Sequence, residues 1–149
     1  MGFVKEFKAC LNGAQEVPPV ETDATGTARI FFIESRPDLL LVRLFVRDIK
    51  DVFAAHIHLG APGVNGPIVL TLFGPTDPMD FRRETLIVNR AFTKDDLEGP
   101  LAGQSLEALV RNMAAGNAYV NVHTVEHFNG EIRGQIMPVH HSTGYEPDS

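Results

Sequence analysis

Three of the six histidines in this 149-residue chain sit inside apolar runs, where an imidazole is out of place. Residues 54–59 read Ala-Ala-His-Ile-His-Leu and residues 119–124 read Tyr-Val-Asn-Val-His-Thr. His56 and His58 are two positions apart, so on a strand both rings leave the same face, ~6.6 Å apart along the backbone. Ile57 and Leu59 then point the other way. Buried imidazoles need partners for their nitrogens, and two on one face call for a metal ion or a polar network. By the same period of two, His123 shares its face with Asn121 and Tyr119. If the two runs are neighbouring strands, the three rings converge on a site suited to zinc or copper. Glu131 is then a fourth ligand, or the acceptor that orients a ring N–H. His127, in the turn after the second run, is a weaker ligand. The alternative is structural: the same histidines bond to each other, to backbone carbonyls or to Glu131. In that case His58, just ahead of the glycine-rich stretch Gly60–Pro67, ties the loop down.

Other chemistry-bearing residues point to structure. Glu131 and Arg133 invite a catalytic reading, but i and i+2 neighbours on a strand commonly form ion pairs, and Glu16 is a further partner for Arg133. Cys10 is the only cysteine, which excludes an internal disulfide and any cysteine-based zinc or iron–sulfur site. With no activating neighbour, it is expected as a small core residue. No Gly-x-Ser-x-Gly elbow is present. The glycine-rich loop has no Lys-Ser/Thr and leads into a strand, unlike a phosphate loop. His140-His141 reads as a solvated pair.

The formal net charge is −6 with no basic stripe, which argues against a general nucleic-acid surface. No stretch approaches the ~20 apolar residues of a membrane-spanning helix. The first residues lack a charged segment followed by an apolar one. The expected compartment is therefore the cytoplasm if Met1 is native, or outside the cell if a signal has been removed.

The elements that must carry these residues are mostly strands. Thirteen glycines and ten prolines favour an all-β fold with many turns. Strands are expected over Phe3–Leu11, Gly26–Glu34, Leu39–Arg47, Val52–Leu59, Ile68–Phe73, Thr85–Phe92, Ala118–Thr124 and Glu131–Pro138. The second and third form a hairpin, with Ala28, Ile30 and Phe32 facing Leu40, Val42, Leu44 and Val46. Ile68–Phe73 is apolar enough for burial on both faces. Val17-Pro18-Pro19-Val20 is extended, as a sheet edge or a crossing loop. Gly74–Glu84 reads as a polar loop. Thr93 opens a short helical turn through a capping box with Asp96. The one good helix is Ser105–Ala115, with Leu106, Leu109, Val110 and Met113 on one face and Gly116 at its end. Asn129-Gly130 marks a hairpin turn. The expectation is one domain over residues 1–139, a β-sandwich or Greek-key barrel with one short helix in a connecting loop, followed by a polar tail over 140–149.

Four segments in order resemble the CHRD domain, the family named for repeats in chordin and found also as single bacterial domains. They are Leu11-Asn-Gly-Ala-Gln-Glu-Val-Pro-Pro-Val20, His56-Ile-His-Leu-Gly60 with Asn65-Gly66-Pro67, Tyr119-Val-Asn-Val-His-Thr124 and Gly130-Glu-Ile-Arg-Gly-Gln135. The likeness runs from about Phe7 to Met137. In chordin these domains belong to an extracellular antagonist of bone morphogenetic proteins; bacterial members are often exported and largely lack an assigned activity. A remoter likeness, of architecture only, is to the copper site of the copper/zinc superoxide dismutase fold. His56 and His58 match its His-x-His pair and His123 its later ligand.

Three functions follow as expectations. The first is a non-enzymatic binding domain holding zinc or copper through His56, His58, His123 and Glu131. The second is a metal-dependent redox or hydrolytic enzyme with one open position at that cluster. The third is a protein-binding or self-associating module whose histidines are structural.

Overall fold

Strict alternation of apolar and polar residues builds the first sheet. In the computed structural model, which describes residues 3–140, β1 is Val4–Leu11, β2 Thr25–Ile33 and β3 Leu40–Arg47. The expected tail beyond His140, including His141, and the Met1-Gly2 start lie outside the described residues. On these strands Phe7, Ala9 and Leu11, then Ala28, Ile30 and Phe32, then Leu40, Val42, Leu44 and Val46 are buried, as their spacing requires. Cys10 is exposed. The expectation of a core cysteine fails because Ala9 and Leu11 take the inward positions on either side of it.

The second sheet carries the histidines. β4 is Ile49–Leu59, β5 Ile68–Phe73, β6 Met79–Phe81 and β7 Thr85–Phe92. The Thr93–Asp96 capping box forms as the spacing demands. Helix α1, Leu106–Ala114, buries Leu106, Leu109, Val110 and Met113 and leads into the last three strands. These are β8, Ala118–Thr124, β9, Ile132–Gln135, and β10, Met137–Pro138. One antiparallel sheet runs β10-β1-β2-β3-β7; the other runs β5-β4-β8-β9, with β6 also paired to β4. Neither closes into a barrel, so the arrangement is the sandwich of the two forms expected. Its core lies between the sheets, where Ile30, Leu44, Ile57, Val120 and Ile132 pack together with essentially no exposure. Each such side chain contributes about 1.5–3 kcal/mol by burial.

Three segments depart from expectation. Within the loop 74–84, Met79–Phe81 pairs with β4 as β6, a strand too short for its alternation to register. β5 is an edge strand, with Val69, Leu70 and Leu72 buried and Ile68 and Phe73 only partly so. The last strand splits at Ile136: β9 pairs with β8 in one sheet and β10 with β1 in the other, so the chain crosses the sandwich there.

β8 departs furthest from ordinary alternation, since all seven of its residues are buried. It is a central strand with β4 on one side and β9 on the other. One face meets the core through Val120 and Val122. The other face is covered by two loops, 12–24 and 60–67, stitched together where Asn65 Nδ2 donates to the Val17 carbonyl (2.9 Å). Val17–Val20 is thus part of a crossing loop. The covered face holds the candidate site.

Candidate metal centre

β4 and β8 are antiparallel neighbours, with His56 opposite Asn121, His58 opposite Tyr119 and Ala54 opposite His123. Residues directly opposite share a face, and so do residues two apart. The pairing therefore gathers His56, His58 and His123 on the covered face. Their ring centroids are 4.8 Å (His56–His123), 5.8 Å (His56–His58) and 6.3 Å (His58–His123) apart. Taking one ligand atom from each, the three lie within 4.8 Å of one another.

Backbone carbonyls fix two of the rings. His58 Nδ1 donates to Gly66 O (2.8 Å) and His123 Nδ1 donates to Phe128 O (2.8 Å). A carbonyl can only accept, so each Nδ1 carries the proton and each neutral ring keeps a bare Nε2. His56 Nδ1 and His123 Nε2 are 3.0 Å apart, and His58 Nε2 stands 2.9 Å from Asn121 Oδ1. Burial is the main force keeping the rings neutral. It pulls His56 down to about 4, helped by charge repulsion from His123 and His58. It also lowers His58 and His123, against the raising effect of their bonds to Gly66 and Phe128.

A stack of side chains backs His58. Its ring lies parallel to Tyr119, with centroids 4.8 Å apart and planes 5° from parallel, and the Arg133 guanidinium sits 3.4 Å from the Tyr119 centroid. Tyr119 Oη accepts from Gly66 N (3.0 Å), so the residue that receives the His58 proton is held at both its polar groups. Only glycine fits there, because a Cβ on Gly66 would lie 1.6 Å from Leu59 O.

Glu131 is placed elsewhere. Its carboxylate accepts from Thr22 Oγ1 (2.6 Å) and Thr124 Oγ1 (2.8 Å), and it does not join the three-histidine group. β9 begins only at Ile132, so the period of two that would align Glu131 with Arg133 stops short of it. His127 is also outside the group.

Among the described residues the expected bond between Arg133 and a carboxylate is not made. Arg133 Nη2 donates to Ala61 O (3.0 Å) and Gln135 Oε1 (3.4 Å), drawn there by the 60–67 loop and the Tyr119 ring. Nη1 and the Oε2 of Glu16 are both buried with no hydrogen-bond partner among the described residues. Burial raises the Glu16 carboxyl to about 7, and the more distant positive charge of Arg133 only partly offsets this. The roles of Asn121, Tyr119 and Glu16 at the site are missed by the spacing argument. Asn121 and Tyr119 do share the His123 face in the sequence pattern, but only the strand register puts them against His58.

Chemically, the centre is a buried polar face with two bare imidazole nitrogens, a third imidazole in contact with one of them, and no carboxylate in the cluster. It defines a class: an antiparallel β-sandwich with a partly buried histidine cluster on the outer face of one sheet. The chain belongs to the CHRD domain family, whose model matches residues 7–136. No curated protein and no solved structure matches the chain. No helix among the described residues is long and apolar enough to cross a membrane.

Proposed function

We propose that this CHRD domain is a non-enzymatic binding module that holds one zinc or copper ion through His56, His58 and His123. The observation that carries this reading is the pinning of His58 Nδ1 and His123 Nδ1 to the carbonyls of Gly66 and Phe128. Histidine ligands are oriented in this way, with one nitrogen donating outward and the other bare toward the metal. Burial keeps the rings neutral, which metal binding also requires. With bonds of ~2.0–2.1 Å, ligand atoms around a tetrahedral ion sit about 3.3–3.4 Å apart. The 3.0 Å contact between His56 and His123 and the 4.8 Å limit for the set bracket that spacing. Rotation about the soft χ2 of histidine brings the rings to it.

The test is thermal melting of tag-free, metal-free protein with and without Zn²⁺ or Cu²⁺. At a free metal concentration a hundredfold above Kd, wild type gains about 2.7 kcal/mol. The His56→Ala/His58→Ala double variant gains nothing. An unchanged wild-type curve at saturating metal sinks the reading and leaves the histidines a structural network.

A further inference from the structure

The amide of Asn121 faces His58 with its oxygen toward a bare ring nitrogen. His58 Nδ1 gives its proton to Gly66 O, so its Nε2 is a bare acceptor, yet Asn121 Oδ1, also an acceptor, stands 2.9 Å away. A second proton on His58 would join the two, but the ring is buried and stacked on Tyr119 with the Arg133 guanidinium on that ring, a setting that disfavours a further positive charge. Turning the amide around would also join them, by placing Nδ2 against His58. The surroundings of Gly130 argue against that orientation. A Cβ built there would lie 2.6 Å from Glu16 Oε2 and 2.8 Å from Asn121 Nδ2, so both atoms crowd the same small space. Glu16 is 6% exposed and its Oε2 lacks any donor. With the amide as it stands, Nδ2 is the amide atom on the side of that oxygen, with no hydrogen bond between them; turned around, an oxygen would face an oxygen there.

We propose that Asn121 Oδ1 is the fourth ligand of the ion held by His56, His58 and His123, and that Glu16 positions the Asn121 amide for this role. The proposal rests on the metal-binding reading above. A 2.9 Å gap between His58 Nε2 and Asn121 Oδ1 is near the spacing of two ligands on one tetrahedral ion. Three imidazoles and an amide oxygen form a neutral donor set of the nitrogen and oxygen type that zinc and copper(II) accept. The buried carboxylate behind the amide offsets part of the ion's charge. Such a set fills all four positions and leaves none for a substrate or an attacking water, unlike a catalytic zinc site. The fourth ligand therefore belongs to the non-enzymatic reading.

The test is titration of Co²⁺, a spectroscopic stand-in for zinc, into tag-free, metal-free protein at pH 8, where Glu16 is ionised and the histidines are neutral. Wild type is expected to show the visible absorption of a four-coordinate ion. Asn121→Ala weakens binding by about ten- to a hundredfold and shifts the spectrum. Asn121→Asp, nearly isosteric and still offering an oxygen, binds at least as tightly as wild type. Glu16→Ala weakens binding by about tenfold. If Asn121→Ala fails to fold, Asn121→Asp and Glu16→Ala decide. Wild-type affinity and spectrum in Asn121→Ala, with binding abolished in His58→Ala, overturn the fourth ligand and leave the three-histidine site standing. A wild-type protein that takes up no cobalt, zinc or copper overturns both.

Discussion

On β3 the residues pointing away from the core are exposed at Leu41, Arg43 and Arg47 and half-buried at Phe45; on β8 the corresponding residues, Tyr119, Asn121 and His123, are buried. Both strands are central in their sheets, and both send apolar residues into the same core. The outer face of the first sheet is left open to water, which costs little in an antiparallel sheet. The outer face of the second is closed by two loops, although it carries three imidazoles, an amide, a guanidinium and a carboxyl. Burying polar groups is unfavourable unless each finds a partner, and here Glu16 Oε2 and Arg133 Nη1 find none among the described residues. A fold that needed only stability could leave this face open as well. The closed face is therefore where a function is to be sought.

Substitutions separate the two regions. The largest effect is expected in the shared core: Leu44→Ala should cost about 2–5 kcal/mol in urea denaturation. That cost should be the same with or without zinc, since Leu44 faces the core and not the histidines. A zinc-dependent cost would mean the core and the covered face are not separate regions.

The next effect lies on the covered face and depends on pH. The Glu16 carboxyl is raised from its ordinary 4.5 to about 7, so the folded state holds a proton that the unfolded chain has released between those values. Its contribution to stability is fully present below about 4.5 and is lost as pH rises through about 7. His56 acts in the opposite sense. Its folded value of about 4 lies below the ordinary 6.5, so its contribution is full above 6.5 and is lost as pH falls toward 4. In wild type the two slopes oppose each other between 4.5 and 6.5. Glu16→Gln should leave only the histidine slope, and above pH 7 it should be the more stable protein. At about 1.4 kcal/mol for each tenfold change in proton affinity, the gain approaches about 3 kcal/mol. A melting-temperature profile from pH 4 to 8 measures both; a variant that tracks wild type throughout would contradict the buried, donor-poor carboxyl. The smallest effect is on the open face, where Arg43→Gln should change stability by no more than about 0.5 kcal/mol at any pH.

Much of this contrast can be read from the residues, but not its decisive half. Alternation on β1, β2 and β3 gives the inward set residue by residue, and the His-x-His spacing with the His123 run gives the three-ring cluster, because period two is local. What closes the second face is not local. Residues 12–24 and 60–67 are recognisable as turns and loops, but nothing in their pattern says they fold over β8. Arg133, expected to bond a carboxylate, instead lies over Tyr119 and bonds Ala61 O, contacts fixed by the β8–β9 register and the loop. Glu131 misses the histidines because the strand starts one residue later than its alternation implies. Cys10 is the reverse case: its exposure follows from alternation alone, with Ala9 and Leu11 facing inward, and the general preference of cysteine for interiors points the wrong way.

The most direct test of the account is a crystal grown with Zn²⁺ or Cu²⁺ and measured on the high-energy side of the metal's absorption edge. The account predicts one strong anomalous peak on the covered face, ~2.0–2.1 Å from a nitrogen of each of His56, His58 and His123 in the zinc crystal. His56 Nδ1 and His123 Nε2 should then have parted from the 3.0 Å contact they make now. No peak at that position, with the two nitrogens still in contact at saturating metal, would contradict it.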